Sequence, residues 1–233
     1  MELTAEGYRI QNIPFDDLAR DFGTPLYVYD GARMVQQLNN LKNAFSENDV
    51  RIKYAAKALT NLSILRLLKK HGAGVDVVSI QEAHLALKAG FVASDIMFTP
   101  NCVDFAEIEE GVNLGLTINL DNLSVLDKFG KKYGASQACC IRLNPHILAG
   151  GNYKISTGHG NSKFGISIYQ LPNIMETVQR YQMRIEGLHI HTGSEITETE
   201  VFLKMAEILF GVARDFPQLR FIDFGSGYKV AYK

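Results

Sequence analysis

The stretch Arg51-Ile52-Lys53-Tyr54-Ala55-Ala56-Lys57-Ala58 decides the fold. Polar and apolar side chains alternate over 51–55, which predicts a short strand. An amphipathic pattern over 61–71 predicts a helix, so Lys57 lies where a strand passes into a helix. Barrels and open α/β sheets carry their chemistry at that end of their strands. An amine shielded there among alanines can form a Schiff base with a carbonyl compound.

The same pattern of a strand followed by a helix recurs along the chain. Before 51–55, a helix is predicted over 14–22, a strand over 26–29 and a helix over 32–45. After it, strands are predicted over 75–78, 96–99, 116–120, 138–143, 185–190 and 219–223. The helices between them are predicted over 61–71, 81–89, 105–111, 122–133, 168–179 and 199–215. This alternation indicates parallel βα units.

Two folds share such an alternation, a doubly wound sheet and a (β/α)8 TIM-like barrel. No GxGxxG motif follows the first strand, and polar residues end many strands instead of clustering at one point, which favours the barrel. We expect a barrel truncated after its seventh strand. The glycine- and serine-rich residues 144–164 are expected to form a long loop on the active face.

Composition excludes several classes of function. The 233 residues carry a net charge of −1, so no electrostatic argument favours nucleic acid or an anionic membrane as a partner. No basic-then-apolar leader and no apolar run of membrane-spanning length is present. The three cysteines form no CxxC pair, which indicates reduced thiols and a cytoplasmic protein.

Residues with useful chemistry lie at the predicted strand ends. They are an amine, carboxylates, a guanidinium, imidazoles and small-residue turns, namely Lys57, Asp76, Ser79, Glu82, Arg142, Asn144, His146, His189, His191, Asp223, Gly193-Ser194 and Gly225-Ser226-Gly227. Turns of small residues after a strand let backbone N–H groups approach a phosphate. A phosphate site together with a Schiff-base lysine is what pyridoxal phosphate requires.

The pair His189 and His191 has two interpretations. Residues two apart on a strand face the same way, so the pair could hold a metal, as in barrel hydrolases. That site would need further ligands at other strand ends, and the remaining histidines fall in helices or the long loop. Alternatively His189 is a core histidine, and His191 at the strand end stacks on a cofactor ring.

Five segments together resemble the fold-type III pyridoxal-phosphate decarboxylases, whose barrel is of the alanine racemase type. The third segment resembles the diaminopimelate decarboxylase branch in particular. The segments are 54–58 (YAAKA), 76–82 (DVVSIQE), 142–146 (RLNPH) with Lys154-Ile155-Ser156-Thr157-Gly158 and 162–165 (SKFG), 189–194 (HIHTGS) and 223–227 (DFGSG).

The resemblance implies a cofactor and its residues. Lys57 would bind the aldehyde of pyridoxal 5'-phosphate as an imine, and His191 would stack on the pyridine ring. These two are the expected catalytic residues, and no metal is expected. The other cofactor-binding residues implied are Asp76, Arg142, Ser194, Gly225, Ser226 and Gly227.

The implied reaction is decarboxylation of meso-diaminopimelate to L-lysine. Residues 1–30 would join a β-domain, residues 31–233 would form the incomplete barrel, and the family protein would be a homodimer with Lys163 near its interface. The eighth strand, with its acidic partner for the pyridine nitrogen, and the C-terminal β-domain are missing, so the chain as given is expected to turn over poorly. Ser226 stands where the family usually has glycine. Alternatives are a decarboxylase acting on ornithine, arginine or carboxynorspermidine, and a non-catalytic homologue that binds the cofactor.

Overall fold

The computed structural model describes residues 1–5, 7–149, 156–160 and 162–230. The N-terminal part forms a separate antiparallel sheet of three short strands, β1 (Glu2–Thr4), β2 (Gly7–Ile10) and β3 (Ile13–Pro14). Two helices follow, α1 (Phe15–Phe22) and α2 (Gly31–Ala44). The predicted strand over 26–29 is wrong. That segment belongs to no strand of the described residues, and Tyr27 is 87% exposed.

Parallel strands form the main sheet, as the alternation predicted. They are β4 (Lys53–Ala55), β5 (Gly74–Val77), β6 (Ile96–Phe98), β7 (Thr117–Leu120), β8 (Cys139–Asn144), β10 (Ile185–Ile190) and β11 (Phe221–Asp223). Their order in the sheet is β4-β5-β6-β7-β8-β10-β11, and the two-residue strand β9 (Ile166–Ser167) pairs with the end of β8. The seven strands form a curled half-barrel, which confirms the prediction of a (β/α)8 barrel cut after its seventh strand.

Helices connect the strands and cover the outer face of the sheet. They are α3 (Leu62–Lys70), α4 (Ile80–Ala89), α5 (Phe105–Asn113), α6 (Leu123–Tyr133), α7 (Leu171–Arg180) and α8 (Thr199–Ala213). Polar side chains set where several of them begin. Asn61 and Asn122 cap α3 and α6 by accepting backbone N–H groups of the first turn.

Ser79 and Glu82, which the sequence placed among the candidate polar residues, cap a helix. The Ser79 hydroxyl accepts from the Glu82 N–H, and the Glu82 carboxylate accepts from the Val78 N–H at 2.9 Å. The arrangement is a variant of the capping box at the start of α4, because Glu82 accepts from the residue before the N-cap and not from the N-cap Ser79 itself. It fixes the turn through which the chain leaves β5.

A continuous apolar core lies between the sheet and the helices. Side chains such as Phe98, Ile118 and Ile141 are fully buried in it. Each such side chain contributes about 1.5–3 kcal/mol through its removal from water. This core leaves the carboxyl ends of the strands, here called the rim, as the place where polar side chains gather. Within the described ranges, no helix is long and apolar enough to cross a membrane.

Candidate active site

Lys57 lies at the rim, as predicted. It sits in a single 3-10 turn, Ala56–Ala58, directly after β4. The side chain is exposed, so the shielding among alanines that the sequence suggested is wrong. Its positive charge acts on Asp76, His189 and His191. The amine therefore faces the same space as the other candidate residues while it stays accessible to solvent.

Asp76 is the carboxylate beside this amine. It pairs in register with Ala55 on the neighbouring strand, and it is half-buried. Burial and then the negative charge of Asp223 raise the pKa of Asp76 to about 7, against the opposing effects of the Thr99 hydroxyl, Lys57 and Arg142. Asp76 can therefore exchange a proton near neutral pH.

A buried network of polar side chains extends from Asp76 across the concave face. The Thr99 hydroxyl donates to Asp76 Oδ2 at 3.3 Å, and Asn119 Nδ2 donates to Thr99 Oγ1 at 3.3 Å. Asn119 Nδ2 also lies 2.8 Å from Nδ1 of His189. These four residues, here called the interior network, connect β5, β7 and β10 through the residue that follows β6.

Sequence reasoning missed Thr99 and Asn119. A signal was present, because Asn119 is an amide flanked by Ile118 and Leu120 inside a strand that is otherwise apolar. Such a residue must find hydrogen-bond partners when it is buried. Its partners could not be named, since they lie on strands far away in sequence.

Arg142 lies on β8, in register with His189. Its side chain is buried, and its guanidinium carbon is 4.8 Å from the centre of the Phe164 ring, a cation–π contact. Burial lowers the pKa of Arg142, and the charges of Asp121, Asp76 and Asp223 oppose that effect. Arg142 therefore brings a positive charge to the concave face, held by an aromatic ring.

His191 follows the end of β10 at the rim and is half-buried. Burial, then the neighbouring His189, Arg142 and Lys57, lower the pKa of His191 to about 3. The imidazole is therefore neutral at pH 7. A neutral ring is suited to lie flat against another aromatic ring.

The glycine turn after β11 packs on the turn after β10. A Cβ on Gly225 would lie 2.6 Å from the Ile190 carbonyl oxygen and 3.0 Å from His191 Nδ1, and a Cβ on Gly227 would overlap the Gly193 carbonyl. The Ile196 N–H also donates to the Gly227 carbonyl at 2.8 Å. Glycine is therefore required here for close approach of two backbones. We call residues 191–194 and 225–227 the rim turns.

Backbone N–H groups of the rim turns do not all face outwards. The Gly225 N–H donates to Asp223 Oδ1 at 2.7 Å, so this amide is already paired. Ser194 and Ser226 are exposed on the two turns. The hydroxyls of these two serines are therefore exposed donors that the turns can offer to an anion.

The long loop after β8 is attached to the first rim turn. Thr157 Oγ1 donates to the His191 carbonyl at 2.7 Å. The backbone N–H groups of Thr157 and Gly158 both donate to the Thr192 carbonyl, at 2.8 and 3.2 Å. Residues Lys154 and Ile155 of the same motif lie outside the described residues. The described part of the loop therefore fixes the backbone that carries His191.

The interpretation of His189 and His191 as metal ligands finds no support in the geometry. Asn119 occupies Nδ1 of His189, which is 4% exposed. In the described part of the chain, no three or more His, Cys, Asp or Glu side chains are grouped as a metal site requires. His189 is a core histidine with a hydrogen-bond partner, as the alternative interpretation held.

Comparison with known proteins agrees with this geometry. Residues 31–233 match the family described as "Pyridoxal-dependent decarboxylase, pyridoxal binding domain". Diaminopimelate decarboxylase of Methanothermobacter thermautotrophicus is 34% identical over 223 residues, covering 93% of this chain and 52% of that protein. The chain thus spans about half the length of this relative.

Solved structures show the same fold. The crystal structure of diaminopimelate decarboxylase from Helicobacter pylori complexed with L-lysine superposes with a TM-score of 0.84 at 30% identity, covering 94% of this chain and 58% of that one. Lysine/ornithine decarboxylase from Vibrio vulnificus complexed with putrescine gives 0.79 at 28% identity, covering 94% and 57%.

These matches confirm the resemblance drawn from the five sequence segments. They also confirm the prediction of a pyridoxal cofactor. The chain belongs to the pyridoxal-dependent decarboxylase family and corresponds to the N-terminal, pyridoxal-binding part of its members.

Proposed function

We propose that the protein decarboxylates meso-diaminopimelate to L-lysine and carbon dioxide with pyridoxal phosphate, and that this chain supplies the cofactor-binding portion. One observation carries the proposal. An accessible lysine, a carboxylate with a pKa of about 7, a buried arginine and a neutral histidine interact electrostatically at the rim, where two glycine turns pack together. The names of the relatives support the choice of substrate.

The residues present fit pyridoxal phosphate. An aldehyde needs an amine that can be reached, and Lys57 is exposed at the rim. An aromatic ring needs a flat, uncharged surface, and His191 is a neutral imidazole kept clear by the absence of a side chain at Gly225. A phosphate needs donors on turns, and Ser194 and Ser226 are exposed there.

Each residue then has a defined task. Lys57 Nζ would hold the cofactor covalently, and Asp76 would accept or return a proton beside it near neutral pH. His191 would orient the ring through one face. Arg142, held on the Phe164 ring, would keep a positive charge close to the pyridine ring of the cofactor.

The rim turns would hold the phosphate group. Ser194 and Ser226 would each offer a hydroxyl and a backbone N–H, and Gly227 would offer a backbone N–H. Gly225 would act through its missing side chain, because its own N–H is paired with Asp223. When bound, the cofactor supplies an electron sink for the carbanion that remains once the α-carboxylate leaves as carbon dioxide.

Covalent trapping tests the cofactor site. The purified chain is mixed with pyridoxal phosphate, reduced with borohydride and digested, and the modified peptide is identified by mass spectrometry. We expect modification at Lys57, and its loss in Lys57→Ala but not in Lys128→Ala, a surface lysine on α6. Equal labelling of many lysines, unchanged in Lys57→Ala, would contradict the proposal.

A second substrate class is favoured by one neighbour, the lysine/ornithine decarboxylase of Vibrio vulnificus. Release of carbon dioxide from meso-diaminopimelate, lysine, ornithine, arginine and carboxynorspermidine by the complete protein separates the two. Release from meso-diaminopimelate alone supports the first proposal. Trapping at Lys57 without release from any of them identifies a non-catalytic homologue.

We also propose the wider organisation that the resemblance implies. Residues 1–30 would join a β-domain, residues 31–233 would form the cofactor barrel, and the complete protein would be a cytoplasmic homodimer. Support comes from the separate sheet of β1–β3, from the exposed Lys163 and from the free thiols of Cys102, Cys139 and Cys140. Light scattering of the complete protein at several concentrations tests the dimer.

A further inference from the structure

The amide side chain of Asn119 lies where an apolar side chain would be buried with a smaller free-energy penalty. It is 0% exposed in β7, and its Oδ1 atom has no hydrogen-bond partner in the described residues. A leucine, which has the same branching, would avoid the desolvation of that carbonyl. Whatever the amide contributes must therefore come from its nitrogen, which makes two hydrogen bonds.

Those two bonds run in fixed directions. The Thr99 hydroxyl has one proton, and it donates that proton to Asp76 Oδ2. Asn119 Nδ2 must then be the donor to Thr99 Oγ1, 3.3 Å away. The amide nitrogen of Asn119 can donate but cannot accept, so we assign His189 Nδ1, 2.8 Å away, as the acceptor of its second N–H. The interior network is thus a chain of donors that begins at one amide and ends at a carboxylate and an imidazole.

We propose that Asn119 is a positioning residue that sets the protonation of His189 and Asp76. Its amide holds His189 as the neutral tautomer with the proton on Nε2, and through Thr99 it directs a hydroxyl proton at the carboxylate of Asp76. Asn119 and Thr99 act only through His189 and Asp76, to which they are hydrogen-bonded. This inference deepens the proposed function, on which the importance of Asp76 rests.

Several charges compete for control of the same two groups. Asp76 interacts with the charges of Asp223, Lys57, Arg142 and Lys53. His189 interacts with those of Asp223, Arg142 and Lys57, and His191 lies two residues after it. Asp223 favours a proton on both groups, and the cations disfavour it. The two bonds of Asn119 add a fixed bias, because they favour the ionised carboxylate and the neutral ring.

The tautomer of His189 can be measured directly on the unmodified chain. Nitrogen NMR of ¹⁵N-labelled histidine distinguishes a protonated ring nitrogen from an unprotonated one. We expect Nδ1 of His189 to be unprotonated and Nε2 to carry the proton at pH 7. A wild-type protein in which Nδ1 carries the proton would overturn the inference without any variant.

Two variants then separate the branches of the network. Asn119→Asp replaces the donor with an acceptor, so His189 Nδ1 should become protonated. Thr99→Val removes only the branch to Asp76, so it should raise the pKa of Asp76, followed by carboxyl ¹³C titration, while the tautomer of His189 stays as in the wild type. Thr99→Ser, which keeps the hydroxyl, should restore the wild-type titration.

Other outcomes decide against the inference. An unchanged tautomer in Asn119→Asp, or equal titration of Asp76 in Thr99→Val and Thr99→Ser, would overturn it. Backbone amide spectra of each variant check that the sheet is intact. All readouts use the ligand-free chain, so they stand even if borohydride trapping at Lys57 fails.

Discussion

The interior network and the rim turns hold their polar groups in different ways. In the interior network, side chains on separate strands bond to one another, as Thr99, Asn119 and His189 do. At the rim turns, backbone meets backbone, as in the contact of Gly227 with Gly193 and the bond from the Ile196 N–H. Side-chain contacts adjust proton affinities, whereas backbone contacts fix positions. Substitutions in the two regions should therefore fail in different ways.

The largest effect of a substitution on stability is expected in the interior network, at Asp76, and it should depend on pH. The raised pKa of Asp76 means that the folded state keeps a proton that the unfolded state loses, so stability falls as pH rises from about 4 to about 7. Asp76→Asn cannot ionise and should escape this loss. The rise in the pKa of Asp76 from 3.8 to about 7 corresponds to a loss of roughly 4 kcal/mol in the free energy of unfolding. This figure is an upper bound, because solvent screens a half-buried group.

Urea unfolding at pH 4 and pH 8 measures this difference. Asp76→Asn should gain stability relative to the wild type between the two values, and Asp49→Asn, in an exposed loop before β4, should not. Parallel stability curves for wild type and Asp76→Asn would show that the folded state does not raise the pKa of Asp76.

The next largest effect is expected at the rim turns and should not depend on pH. Gly227 has a φ of +110°, and a Cβ there would overlap the Gly193 carbonyl. Gly227→Ala should lose at least about 1–3 kcal/mol through backbone strain. The matched control is Gly211→Ala in α8, where a Cβ meets nothing within 4 Å and should add about 0.5–1 kcal/mol of stability. If both variants unfold at the same urea concentration, the close approach at the rim is wrong.

The smallest effect on stability is expected from the hydrogen bond that joins the Thr157 side chain to the first rim turn. Thr157→Val keeps the shape of the side chain and removes the bond to the His191 carbonyl, at a cost of about 0.5–1.5 kcal/mol. Thr157→Ser keeps the hydroxyl and should lose less. Because this bond positions His191, the affinity for pyridoxal phosphate should weaken in Thr157→Val more than in Thr157→Ser. Equal affinities would assign the loop a role in stability alone.

Prediction from sequence succeeded where the pattern is local and regular. The strands β4 to β8, β10 and β11 fall where alternation of apolar residues placed them, and so do the helices between them. At the N-terminus it succeeded for the helices α1 and α2 and failed for the strands. The strands β1–β3 have two to four residues each, too few for a period to be seen, and the apolar segment 26–29 lacks a strand partner in the described residues.

The candidate residues divide in the same way. Lys57, Asp76, Arg142 and His191 were identified because each ends or lies in a recognisable segment. Whether each binds the cofactor stays a prediction. Gly225 was expected to offer its N–H to a phosphate, yet Asp223 two residues earlier takes that N–H. Such a local bond depends on the turn conformation, which a run of small residues does not specify.

The sequence by itself determined the order of the βα units and the residue type at each strand end, because alternation and covalent order are properties of the chain alone. Only the tertiary structure decided which of those side chains meet. Asn119 and His189 are 70 residues apart, on strands separated by β8. They touch because the sheet curls and turns inward-facing side chains of non-adjacent strands towards one another. The proton affinities of the site follow from that curl, which is a property of the whole sheet.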